Sequence, residues 1–385
     1  MCTLYSFSLV QFRILVFGIS VSVFISCSNS VEKVKKELRV SAAAASIDLS
    51  EITDSVKIFA LRTPDSVYIA DIDQVKIYEN MVFVVDKDQT NSITLFDLQT
   101  GDYISQLARV GDAPGHYNNI NAFCYDGKLQ QIIVHSLYEG IFVYSLQDLE
   151  FLNSFPDPDY IIEIEKFGES SFFVVNDTEV GTTGELVGYQ IWSENFDRSS
   201  NVGLTSYPIS IASTYDNAFI LDEKQNLIVA VRAQTTEIYN ISEDSITKIS
   251  NIDFGNKSVS NDFWSSSESK IPELWKEIEK GKLRYHVNNY LENTGHLSFW
   301  FFEDLYDMNP DRLFFLDKES GESAVYKSLR SNLLREPLIR PSYTYNQSYY
   351  HVVRGIDLSK YAHQQLRNSF ENIDMEDLYV IAYSL

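Results

Sequence analysis

The chain has 385 residues, with 54 acidic against 31 basic side chains and a formal net charge of −23. A surface this acidic repels phosphate backbones, which argues against nucleic acid as a partner. Three cysteines are too few for a disulfide framework, so a chain of this length must be held by its hydrophobic core, which is large enough for that.

The first 27 residues have the layout of a secretory signal. Arg13 is their single charge, and an uncharged apolar run of 12 residues follows at 14–25, too short to span a bilayer. The ending from Phe24 to Cys27 resembles the lipobox of bacterial lipoproteins, in which the signal is cut before an acylated cysteine. This resemblance implies a signal peptide over 1–26 and lipid attachment at Cys27. Plain secretion and an uncleaved helix remain alternatives.

The next segment reads as a tether. Residues 27–46 are small, charged and poor in aromatic side chains, with a short helix expected near Glu32 to Leu38. The composition changes at Ile47, where apolar and polar residues begin to alternate. We therefore predict a tether over 27–46 and a folded domain over 47–385.

Beyond Ile47, strand patterns dominate and recur. The runs Met81–Asp86 and Ser92–Asp97, with a third run from Asp102, predict a three-strand meander. Similar units begin at Gln131, Ser171, Asn217 and Leu297. The early units are spaced by about 40 to 50 residues, the length of one propeller blade. The pattern predicts an all-β, six-bladed β-propeller, with seven blades as the alternative.

Ring closure is expected to involve both ends of the domain. The C-terminal strand Leu378–Tyr383 is predicted to pair with Ser55–Leu61, since closure removes the exposed edges of an open array.

One stretch interrupts the strand pattern. Residues 272–281 begin with proline, end with glycine and carry apolar residues at helical spacing, which predicts a short helical insertion at about 262–284. Trp264 and Trp275 lie in this insertion, where no repeat demands an aromatic side chain. They are candidate platforms for a sugar ring or a peptide side chain, and packing of the insertion onto the ring is the alternative.

A connector follows the first meander at Arg109 to Tyr117. Gly111 and Gly115 permit positive φ and Pro114 restricts the residue before it, so the segment is a rigid turn. The structural interpretation is a link from the outer strand of one blade to the inner strand of the next. The functional interpretation places three ligand contacts at the rim of the central channel, namely Arg109, His116 and Tyr117.

The connector also carries a family resemblance. Residues 111–117 read Gly-Asp-Ala-Pro-Gly-His-Tyr and resemble the Gly-x-Gly-Pro-Gly-Glu-Tyr connector of bacterial six-bladed β-propeller lipoproteins, relatives in shape of NHL-repeat and TolB-like propellers. Ala113 and His116 depart from that pattern. The resemblance runs from about Ile47 to the C-terminus and implies a fold and a location at the cell envelope. It implies no activity, because that family as a whole has no general assigned one.

Local catalytic motifs give little support to an enzyme. The six histidines show no metal-ligand spacing, and the nucleophile-elbow, Walker and dinucleotide-binding glycine patterns are missing from the sequence, so we predict no metal or cofactor. Cys124 lies among apolar neighbours, which predicts packing rather than nucleophilic chemistry.

Two functional classes stay open. The first is a noncatalytic module, anchored by its N-terminal lipid to the outer membrane on its periplasmic or surface face, that binds a glycan, a peptide or an envelope protein. The alternative is a propeller enzyme, such as a lyase, a hydrolase or a lactonase-like metal enzyme, whose channel site is built from several blades and leaves no contiguous motif.

Overall fold

The structure is a computed structural model that describes the larger part of the chain. The described residues are 37–40, 44–53, 55–156, 160–178, 186–196, 198–201, 219–221, 227–230, 237–243, 245–258, 276, 280, 285–302, 312–331, 333–335, 343–346, 348–364, 366 and 373–384.

These residues form 26 strands in six sheets that follow one another along the chain as the blades of a propeller. Three strands come first: β1 (Glu37–Arg39), β2 (Ala44–Asp48) and β3 (Ser55–Leu61). Blade 1 contains β4 (Gln74–Tyr78), β5 (Met81–Asp86), β6 (Ser92–Asp97) and β7 (Tyr103–Leu107). Blade 2 contains β8 (Ala122–Asp126), β9 (Gln131–Ser136), β10 (Gly140–Ser145) and β11 (Phe151–Phe155). Blade 3 contains β12 (Tyr160–Phe167), β13 (Ser171–Thr178), β14 (Leu186–Ser193) and β15 (Arg198–Asn201).

The remaining blades recruit the first three strands. Blade 4 contains β16 (Phe219–Leu221), β17 (Leu227–Ala230), β18 (Glu237–Ser242), β19 (Ser245–Asp253) and, at its edge, β1. Blade 5 contains β20 (Tyr285–Glu292), β21 (His296–Phe302), β22 (Arg312–Asp317), β23 (Ser323–Arg330) and, at its edge, β2. Blade 6 contains β24 (Tyr343–Tyr345), β25 (Ser348–Arg354), β26 (Leu378–Ser384) and, outermost, β3. The six-bladed propeller predicted from the repeats is confirmed.

Ring closure also follows the prediction. Strand β26 pairs antiparallel with β3 over the full register from Leu378 opposite Leu61 to Ser384 opposite Ser55. The last blade is therefore built from both ends of the folded unit, which leaves no open end to the ring of sheets.

The segment before Ile47 differs from the predicted tether. Strand β1 pairs in parallel with β19 and β2 pairs in parallel with β23, and Leu38 and Val40 are only 2% and 6% exposed. The compact unit begins at Lys36. Residues 37–40 and 44–46 thus belong to the propeller, because β1 and β2 add parallel strands to the outer edges of blades 4 and 5, and Leu38 and Val40 pack into the core.

Burial on both faces of each blade explains the apolar runs. In β5, Val82 and Val84 pack toward blade 6, while Phe83 and Val85 pack toward blade 2. A strand sandwiched between two neighbouring sheets has no polar face, so it reads as a continuous apolar run rather than an alternating one.

Helical structure is sparse among the described residues. One α-helix, α1 (Gly355–Tyr361), follows β25, and two 3₁₀ turns cover Leu49–Glu51 and Gly255–Lys257. The predicted insertion at 262–284 lies outside the described residues except for positions 276 and 280. Within the described part of the chain, no helix has the length and apolar character needed to cross a membrane.

Candidate functional site

The first strands of the blades surround the centre of the ring. Neighbouring first strands are in contact, β8 with β12, β24 with β4, β20 with β24 and β16 with β20. Because consecutive strands within a blade are antiparallel and the chain enters each blade at its first strand, these first strands begin at one end of the ring. The turns from β5 to β6 and from β9 to β10 lie at that same end.

A buried ion pair near the centre of the ring joins blade 1 to blade 3. The ammonium of Lys76, in β4, donates to the Glu165 Oε2 of β12 at 2.8 Å, and the two side chains are only 1% and 5% exposed. The same ammonium donates to the carbonyls of Phe123 at 3.0 Å and Ile164 at 3.2 Å. All three of its N–H groups are thus engaged, and they join blades 1, 2 and 3.

The partner carboxylate is less completely satisfied. Oε2 of Glu165 also accepts from the Tyr78 hydroxyl at 2.9 Å, whereas Oε1 is buried and receives no hydrogen bond from the described residues. Burial raises the pKa of Glu165 despite the attraction of Lys76. Burial is the largest single influence on Lys76 and opposes its charge, but the negative charges of Glu165 and Glu163 and the hydrogen bond to Glu165 together outweigh it and raise the lysine pKa.

A second polar group, which we call the inner rim, lies where β4, β8 and β12 begin. It consists of Asp73, Gln74, Lys87 and Asn121. The Lys87 ammonium donates to the Asn121 carbonyl at 2.8 Å, and the Asn121 side-chain amide donates to the carbonyl of Ile161. The inner rim therefore links the inner edges of the same three blades that the axial ion pair joins.

The inner rim is held by its own backbone. Oδ2 of Asp73 accepts from the backbone N–H of Lys87 at 2.6 Å and from that of Asp88 at 3.2 Å. Burial and the nearby charge of Lys76 lower the pKa of Lys87 to about 8. Side chains alternate along a strand, so Gln74 shares the face of Lys76, and its Oε1 is buried without a donor among the described residues.

The connector residues predicted as ligand contacts lie elsewhere. Arg109 donates its Nε hydrogen to the Leu149 carbonyl at 2.9 Å, in the turn between β10 and β11. Tyr117 is fully buried, and its hydroxyl donates to the carbonyls of Asn91 at 3.0 Å and Leu107 at 3.3 Å. His116 is half-buried, with Nδ1 3.4 Å from the Val110 carbonyl.

These contacts explain the glycine of the connector. Tyr144, in β10, donates its hydroxyl hydrogen to the Gly115 carbonyl at 3.0 Å, and a Cβ on Gly115 would lie 2.4 Å from the ring of Phe151. The connector thus runs from β7 to β8 as the structural interpretation expects, packed against outer strands of blade 2. The structure does not bring Arg109, His116 and Tyr117 together with the inner rim, and their role as ligand contacts stays a prediction.

Other predicted site residues lie outside the described residues, namely Cys27, Trp264 and Trp275. Cys124 is fully buried, and burial raises the pKa of its thiol well above the ordinary value, so it packs as predicted. Within the described part of the chain, His, Cys, Asp and Glu side chains form no group of three that could hold a metal ion.

Two tyrosines are exposed near the end of the ring that carries the inner rim. Tyr138 is 93% exposed at φ +67°, in the turn from β9 to β10, and Tyr68 is 72% exposed in the segment before β4. The neighbouring Glu139 accepts from the backbone and side-chain amides of Asn118 at 2.8 and 2.6 Å, which fixes the turn that carries Tyr138. This end of the ring thus combines rigid polar groups with exposed aromatic side chains.

The fold is similar to solved structures of bacterial proteins. A protein of Bacteroides fragilis described as exported has a TM-score of 0.65 at 12% identity, covering 90% of this chain and 98% of its own. A member of the duf4221 family from Bacteroides vulgatus has a TM-score of 0.47 at 11% identity, covering 86% of this chain and 97% of its own. No curated protein matches the chain.

The sequence itself matches one family. A profile described as Domain of unknown function (DUF4934) covers residues 35–382. That span begins just before β1 and ends within β26, so it includes all six blades. The chain therefore belongs to the DUF4934 family.

Proposed function

We propose that this protein is an exported, lipid-anchored propeller of the cell envelope that acts as a noncatalytic module binding a ligand or another protein. The signal layout of residues 1–26 and the lipobox-like ending at Cys27 support export and anchoring at the outer membrane. The description of the Bacteroides fragilis structure as an exported protein, and the resemblance to six-bladed propeller lipoproteins, point the same way.

The main support for a binding role is the contrast between the buried Lys76–Glu165 ion pair on the axis of the ring and the polar groups of the inner rim. On the axis, the Lys76 ammonium has all its hydrogens engaged within the protein. At the inner rim, the described residues give the Lys87 ammonium a single acceptor and give the Gln74 carbonyl oxygen no donor. Rigid polar groups with unused hydrogen-bonding capacity at the mouth of a ring are what a binding site requires.

One observation favours the alternative, a propeller enzyme. A lysine with a pKa of about 8 is unprotonated often enough at neutral pH to serve as a base or nucleophile. The proposal and the alternative differ in one measurable respect, which is turnover.

The test combines binding and turnover on the full mature chain purified from membranes. Screening against glycan and peptide arrays, followed by thermal unfolding with each hit, should give a ligand that raises Tm and is recovered unchanged by mass spectrometry. Conversion of the bound compound by wild type, lost in Lys87→Met, would show that the protein is an enzyme rather than a noncatalytic binding module.

Anchoring is tested separately at the N-terminus. Mass spectrometry of the mature protein should show acyl chains on Cys27, and Cys27→Ser should release the protein from the membrane fraction. Cys2→Ser is the matched control, because the predicted cleavage removes that residue and lipidation should continue. Release by both variants, or by neither, would contradict the assignment of Cys27.

A further inference from the structure

The inner rim has more hydrogen-bonding capacity than the described residues use. Lys87 carries three ammonium hydrogens, and the described residues accept one of them, at the Asn121 carbonyl. Asp73 receives both of its described hydrogen bonds at Oδ2, which leaves Oδ1 as an acceptor. Gln74 adds a buried carbonyl oxygen without a donor. Buried polar atoms of this kind are costly unless a bound group pairs with them.

We infer that the inner rim is a binding subsite for the hydroxyl groups of a neutral saccharide, with Lys87 as the donor and Asp73 and Gln74 as acceptors. This inference rests on the proposed binding function and names the class of its ligand.

Donors and acceptors side by side select the chemistry of the ligand. A hydroxyl group both donates and accepts, so adjacent hydroxyls of a sugar can pair with an ammonium and with carboxylate or amide oxygens in one site. An anionic ligand is disfavoured, because the carboxylates of Asp73, Asp88 and Glu163 all lie near enough to Lys87 to act on its charge. A cationic ligand would meet the like charge of the Lys87 ammonium.

The Lys76–Glu165 ion pair on the axis of the ring cannot serve as a ligand-binding subsite. Lys76 and Glu165 are almost completely buried and pair with each other, and the remaining hydrogens of the Lys76 ammonium are donated to backbone carbonyls. Lys87, in contrast, is only partly buried and lies in the turn after β5, at the end of the ring where the inner strands begin.

The experiment begins with an array of neutral oligosaccharides and a parallel peptide array, using the full mature chain. The strongest oligosaccharide is then titrated calorimetrically into wild type, Lys87→Met and Lys128→Met. Lys128 is the matched control, since it is a 59% exposed lysine in the turn after β8, at the opposite end of the ring. We expect Lys87→Met to weaken binding at least tenfold, and Lys128→Met to leave it within twofold.

A pH series keeps the inference testable even if Lys87→Met fails to fold. The charged groups that act on Lys87 are Lys76, Glu163, Asp73 and Asp88, and its pKa of about 8 means that the protonated fraction falls about tenfold between pH 7 and pH 9. Affinity for the oligosaccharide should fall by the same factor. Lys87→Arg keeps a permanent donor, so it should bind with a flat profile over this range.

The outcomes separate this inference from the proposed function. Peptide binding without oligosaccharide binding would overturn the saccharide assignment and leave the binding module in place. Oligosaccharide affinity unchanged in Lys87→Met, or independent of pH in wild type, would move the ligand away from the inner rim. No binding on either array, or turnover of the ligand, would overturn the proposed function itself.

Discussion

Removal of the axial lysine should destabilise the whole ring. In Lys76→Met the aliphatic volume is retained, but Glu165 loses the ammonium 2.8 Å from its Oε2 and keeps only the Tyr78 hydroxyl. Its Oε1 already lacks a partner among the described residues, so the variant buries a carboxylate with a single hydrogen bond. The carbonyls of Phe123 and Ile164 lose the same donor.

The expected magnitude follows from the burial of the pair. Breaking a buried ion pair by removing one partner costs about 3–5 kcal/mol, because the remaining charge is uncompensated. Lys76→Met should lower the free energy of unfolding by that amount. Replacing both residues, as in Lys76→Met with Glu165→Leu, removes the stranded charge and should recover at least about 2 kcal/mol relative to the single variant.

The assay is equilibrium urea unfolding followed by intrinsic fluorescence, with m-values compared to confirm that the unfolding transition is unchanged. The surface pair Lys128 and Glu169, 59% and 82% exposed, supplies the control. Lys128→Met should cost less than about 1 kcal/mol. A loss of unfolding free energy within that control range for Lys76→Met would show that the buried pair is not needed for stability. A double variant as unstable as the sum of the two single variants would show that the two residues do not interact.

Three further predictions concern packing and exposure. Gly115→Ala should cost about 2–4 kcal/mol, since φ is +76° and the added Cβ would lie 2.4 Å from Phe151; an unchanged Tm would contradict the described packing of the connector. Leu38→Ala should lower the free energy of unfolding by about 2–4 kcal/mol, because Leu38 is 2% exposed in the core of blades 4 and 5. Arg39→Ala, at an exposed position, should lower it by less than about 0.5 kcal/mol. Equal effects of the two variants would show that this segment is a tether rather than part of the core. Cys124 should react with a thiol reagent only after denaturation, and rapid labelling of the native protein at neutral pH would show that its burial is wrong.

Much of the fold was predictable from local pattern. Strands such as β5 and β6 are apolar on both faces because each lies between two blades, and such runs are visible without any tertiary information. The pairing of Ser55–Leu61 with the C-terminal strand was also predictable, because a ring of sheets must close.

The inner strands were harder to recognise. Strand β4 carries Lys76 between Val75 and Ile77, and β12 carries Glu163 and Glu165, so neither reads as the start of a blade. Lys76 and Glu165 are tolerated inside the ring because they pair with each other across blades 1 and 3. The predicted meanders consequently begin one strand too late, at Met81 rather than at β4.

The inner rim could not be found by local pattern at all. Lys87 and Asn121 are 34 residues apart, and each reads alone as an ordinary turn or strand-end residue. The connector at Arg109 to Tyr117 is recognisable in the sequence because its glycines and proline constrain the backbone, whereas proximity across blades leaves no local pattern.

The sequence by itself determined the repeat length and the all-β character, since these depend on composition and on periodicity along the chain. Tertiary structure alone decided which polar residues meet. Closing six sheets into a ring brings first strands from distant segments to a common axis, where burial makes an unpaired charge costly. Lys76 therefore pairs with Glu165 inside the ring, whereas the described residues engage only one of the ammonium hydrogens of Lys87 at its mouth.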